Sequence, residues 1–95
     1  MTIVEFLNAR LDEAEEDIEL AGRDPIDWCY TKPEWVRADV MAKRAIIEDY
    51  ETYAAYYRDS RTPSAEGQRF GLLLAVARIA ETYSEHPDYQ QEWKP

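Results

Sequence analysis

The chain has 95 residues with 20 acids against 11 bases, a formal net charge of −9, so it is one domain without the cationic footprint that phosphate backbones require. A hydrophobic share of 45% excludes disorder, and only Gly22, Gly67 and Gly71 are glycines, too few for an all-β chain built on tight turns. With one cysteine, Cys29, no apolar run near ~18 residues and no basic region before an apolar core, the chain is predicted to have no membrane span and no secretion signal, and to work in a reducing cytoplasm.

Thr2-Ile3-Val4-Glu5 fits a capping box, in which a hydroxyl takes an orphan amide and a glutamate reaches back. Apolar positions follow at Val4, Leu7, Leu11, Ala14, Ile18 and Ala21, a heptad-like seam widened by Phe6. Gly22 can take the left-handed stop conformation and Pro25 prevents a restart, so the first helix is predicted over 3–21. Residues 1–20 hold seven acids and one base, net −6. Such a run is usually a solvated face; otherwise it points to a basic partner.

The connector GRDPIDWCYTK, residues 22–32, is too apolar for a free linker. Trp28 is expected to lie over one end of the bundle, the alternative being an exposed aromatic docking patch. Thr31-Lys32-Pro33-Glu34 repeats the capping-box pattern, and the second helix is predicted over 33–57. It carries two apolar sides: Val36, Val40, Ile47, Tyr50, Ala54 and Tyr57 on one, Ala42, Ala45, Ile46, Tyr53 and Tyr56 on another. A helix with two such sides is expected to be sandwiched between neighbours. Lys43-Arg44 interrupts them, and pairing with Asp12 or Glu15 of the first helix fits best. The tyrosines at 50, 53, 56 and 57 exceed what a small core needs, so at least one ring is expected at a dimer or partner surface.

The polar turn RDSRTPS joins this helix to a third, predicted over 64–85 and ended by Pro87. Gly67 and Gly71 weaken its first turns, and Gly71 is expected to allow close approach to the second helix. In the ending HPDYQQEWKP, Tyr89 and Trp93 stand four apart, so one further turn can bury both rings. The predicted fold is an all-α, three-helix up-down-up bundle closed by an aromatic C-terminal tail.

The stretches MTIVEFLNARLDEAE, PEWVRADVMAKRAIIEDYE and HPDYQQEWKP resemble a family of short proteins from actinomycetes and their bacteriophages, including mycobacteriophages. The ending is the most specific part, with His86, Pro87, Asp88, Tyr89, Trp93 and Pro95 at family spacing. The resemblance implies an actinobacteriophage or prophage origin and a shared architecture. It implies no chemistry, because the family carries no established activity.

Catalytic and metal-binding patterns are thin. Cys29 and His86 are too few for a structural zinc site, and Glu-x-x-His pairs for a di-iron bundle do not occur. Asp12/Glu16 and Glu15/Glu19 could hold a divalent ion only weakly. A Cys29, His86 and Asp88 trio is one of each type and carries no signal. Phosphate-binding glycine loops and nucleophile-elbow motifs are missing. His86-Pro87-Asp88-Tyr89 reads better as a structural clasp, with His86 on a backbone carbonyl and Asp88 capping a turn. The chain is therefore read as a non-enzymatic protein-interaction module that needs no cofactor and no metal. It would bind a host protein in the bacterial cytosol through Tyr53, Tyr56, Tyr57, Trp28, Glu13, Glu16 and Asp17. The alternatives are a homodimer joined by the first helix's seam and the surplus tyrosines, or an acidic mimic occupying a nucleic-acid-binding protein.

Overall fold

Thr2 and Glu5 start the first helix as a capping box: the Glu5 amide donates to the Thr2 hydroxyl at 3.1 Å and the Thr2 amide to the Glu5 carboxylate at 2.9 Å. The computed structural model describes residues 1–21 and 32–95. Among the described residues, the elements are α1 (Ile3–Ala21), α2 (Pro33–Ser60), α3 (Pro63–Glu81) and a short 3-10 turn, Gln91–Trp93, with no strand. The predicted all-α bundle is the fold. Trp28 and Cys29 lie outside the described residues.

Leu7, Leu11 and Ile18 of the α1 seam are buried, and Val4 and Ala14 are half-buried. Leu7 and Leu11, with Val4 and Ala14 packed against them, meet Val40 and Ile47 of α2 and Val76 and Ala80 of α3 in one core. Most of the seam is therefore spent inside the chain. Arg44 of α2 fixes the register, donating to Asn8 (3.2 Å), Asp12 (2.7 Å) and Glu15 (3.0 Å) of an antiparallel α1. The predicted partner acids are correct, with Arg44 as the cation; Lys43 pairs within its own helix, with Asp39 at 2.8 Å. Phe6 faces Tyr83 and Arg10 faces His86, so α1 and α3 run parallel and the order is up-down-up.

Three helix ends differ from the sequence reading. Lys32 is the N-cap of α2, and its side chain makes no capping bond; Thr31 lies outside the described residues. α2 runs three residues past Tyr57 because Arg61 supplies the left-handed stop, with φ 41°, its amide closing on the Tyr57 carbonyl at 2.9 Å. No glycine marks that stop. Thr62 caps α3 by accepting from the Ala65 amide at 3.1 Å, with Pro63 in the first turn, where its missing N–H costs nothing. α3 ends at Glu81, short of the predicted 85. The Thr82 hydroxyl takes the Ile79 carbonyl at 2.7 Å, and Thr82, Tyr83 and Ser84 bond three residues back, which tightens the chain out of the α-helix.

The expected sheathing of α2 fails along one side. Ala42, Ala45 and Tyr56 are exposed, and only Ile46 and Tyr53 of the second apolar side are partly covered. At 19 residues α1 is about 28 Å long and cannot cover the roughly 42 Å of α2. The end of α2 past Tyr50 and the start of α3 thus extend as a helical hairpin beyond α1. No close approach of α2 occurs at Gly71 either: a side chain there would meet nothing within 4 Å, and the same holds at Gly67.

Candidate functional site

The left-handed stop at Arg61 folds α3 back on α2 and sets Tyr53 and Tyr56 beside Thr52, Thr62, Ser64 and Gln68, around an open cleft of about 420 Å³. Tyr56 is 50% exposed. The Thr52 hydroxyl is committed to the Glu48 carbonyl and the Thr62 hydroxyl to its cap. That leaves the tyrosine rings, Ser64 and Gln68 as an uncharged surface for contact. Tyr57 does not join them. Its ring is engaged by two guanidinium groups, Arg69 at 4.7 Å and Arg61 at 5.7 Å.

The predicted acidic residues sit on another element, α1, and only part of their charge is free. Glu13 is held by Arg10 at 2.9 Å. Arg44 takes Asp12 and Glu15, which also removes one member from each proposed carboxylate pair; those hydrogen bonds, Glu15's first, raise the Arg44 pKa above its ordinary value. Glu16 and Asp17 are exposed. Among the described residues, no three His, Cys, Asp or Glu side chains gather as a metal site would require. The structure thus separates the tyrosine group from the acidic group and does not describe Trp28.

His86 is a structural clasp in a different geometry from the one expected. Its Nδ1 accepts the Asp88 amide at 3.0 Å, its Nε2 meets Arg10 Nη1, and its ring packs edge-on to Phe6 at 5.5 Å. Asp88 reaches the imidazole through its backbone, so the carboxylate orienter of a nucleophilic trio is not in place. Arg10, 9% exposed and lying over the Phe6 ring at 5.1 Å, was not singled out in the sequence. Its only signal is a cation three residues after a core leucine.

A second surface escaped sequence reading. Phe70, Leu73, Leu74 and Ala77 of α3 line an apolar groove of about 320 Å³, with Ile3 and Trp93 on its other wall. Phe70 is 62% and Leu74 41% exposed. The signal was the breadth of the α3 apolar run, more than one stripe wide, which does not say which face α1 leaves open.

No helix among the described residues is long and apolar enough to cross a membrane. No curated protein and no solved structure matches the chain. The model of the DUF6221 family, described as a family of unknown function, matches residues 1–95, and the chain belongs to that family.

Proposed function

We propose that the chain is a non-enzymatic protein-interaction module, encoded by an actinobacteriophage or prophage and acting on a host protein in the bacterial cytosol. The observation that carries this reading is the cleft of Tyr53 and Tyr56 on the part of the hairpin that α1 does not reach. Tyrosine offers a partner a large rigid ring with a polar tip at low entropic cost, which suits a contact surface more than a catalytic one. A tagged chain passed through a mycobacterial lysate is expected to retain a partner that the Tyr53→Ala/Tyr56→Ala variant releases. Neither ring belongs to the buried core, so the variant is expected to keep its helical circular dichroism. An unchanged set of retained proteins would overturn the reading.

A second reading rests on charge. Arg44 pairs with Asp12 and Glu15 and Arg10 with Glu13, which leaves Glu16 and Asp17 to solvent. An acidic mimic using this face would lose its basic partner when Glu13, Glu16 and Asp17 are changed to glutamine, and would release it steeply as salt rises. Retention that ignores both changes would leave the tyrosine cleft as the contact.

A further inference from the structure

The apolar groove on α3 is not accounted for by either surface above. Phe70 and Leu74 are one helical turn apart, 62% and 41% exposed, and continue inward to Leu73 and the nearly buried Ala77. Gly67 and Gly71 stand beside them on the exposed side of the helix, where a Cβ would meet open space. Nothing in the monomer needs glycine at these positions: their φ values are not positive and nothing packs close. Glycine is a poor helix former, but on an outer face it lets another helix come near. The rim of the groove carries one charge of each sign, Glu92 and Lys94, on the same edge. A contact between two copies about a two-fold axis is self-complementary: each residue meets a different residue of its mate, and the reverse. Two opposite charges on one edge meet that condition.

We propose that this groove is a homodimer interface, in which α3 of one copy packs antiparallel on α3 of a second through Phe70 and Leu74, with Glu92 of each copy facing Lys94 of the other. Two α2–α3 hairpins then form a four-helix layer, and the broad apolar run of α3 is covered on the side α1 leaves open. The inference is independent of the tyrosine cleft, which shares no lining residue with the groove.

Analytical ultracentrifugation tests it. The wild-type chain is expected to sediment at twice its 11.1 kDa mass at micromolar concentration. Phe70→Glu and Gly71→Leu should each raise the dimer Kd by more than about tenfold, because both place an obstructing group in a dry contact. Both positions are exposed, so the helical circular dichroism should not change. Glu92→Lys alone and Lys94→Glu alone should each weaken the dimer several-fold, and the double reversal Glu92→Lys/Lys94→Glu should restore it. Restoration within one chain is expected only when the partner is a second copy with reciprocal pairing. A wild-type chain that stays monomeric at millimolar concentration would overturn the proposal. So would a dimer that tolerates Phe70→Glu, or one lost in Tyr53→Ala/Tyr56→Ala, which would place the contact in the other cleft.

Discussion

Among single residues, Glu5 ties charge to stability most directly. The Thr2 amide, and after it the Thr2 hydroxyl, hydrogen-bond with its carboxylate and hold its pKa below the ordinary carboxylate range. A carboxyl whose folded pKa is depressed stabilises the fold above its unfolded pKa, and that contribution is lost as pH falls through the folded value. The acid limb of a Tm-against-pH curve should therefore be shallower in Glu5→Gln than in the wild type. Equal slopes would show that the charge on Glu5 contributes nothing to folding. This capping box could be read from four letters because it is local: both partners sit within one turn and need no tertiary neighbour. Arg10 could not be read that way. Its surroundings, Phe6, Glu13 and His86, combine one helix with a segment 76 positions away.

The helix ends show where local chemistry was sufficient and where it was not. Thr62-Pro63 opens α3 by a rule that is visible in sequence, a hydroxyl cap followed by a proline in the first turn. The end of α2 is hidden, because the left-handed stop falls on an arginine, a residue that disfavours that conformation. Arg61→Gly should relieve the strain and raise stability by roughly 0.5–1 kcal/mol, reduced by whatever the guanidinium gains over Tyr57. Urea unfolding measures it, and a loss of stability would mean the stacking outweighs the strain. Gly67 makes a complementary case within α3. With open space at its Cβ position, Gly67→Ala should stabilise the monomer by about 1 kcal/mol, a Tm rise of several degrees. The expected close approach at Gly71 failed for a reason no helical pattern contains. A glycine states that space is permitted, and only the neighbour's position says whether it is used.

At the scale of the whole molecule, the unequal lengths of α1 and α2 decide both the core and the exposed surface. Where α1 covers the other two helices, Phe6 becomes the hub of an aromatic clasp. Trp93 lies at 5.1 Å, His86 at 5.5 Å, Tyr83 at 6.1 Å and Tyr89 at 6.2 Å between ring centroids. Beyond α1, the hairpin carries Tyr56 into solvent, and Phe70, across a groove from Ile3 at the start of α1, faces outward. The sequence made the tail's burial legible through the spacing of Tyr89 and Trp93, but not the identity of the residue they enclose. In the sequence Phe6 only widens the seam, whereas Phe70 opens the apolar run of the third helix. The structure reverses their ranks. A domain of this size has roughly 5–14 kcal/mol of stability in total. Phe6, 0% exposed and ringed by four aromatic side chains, should cost about 3–5 kcal/mol as Phe6→Ala, a large part of that sum. Phe70→Ala, at 62% exposure, should stay within about 0.5 kcal/mol under conditions where the chain is monomeric. Urea denaturation followed by circular dichroism separates the two substitutions, since both remove the same ring from the same residue type. A comparable loss from each would mean that α3's outer face is packed within the monomer, and that the length mismatch between α1 and α2 does not set what this fold leaves uncovered.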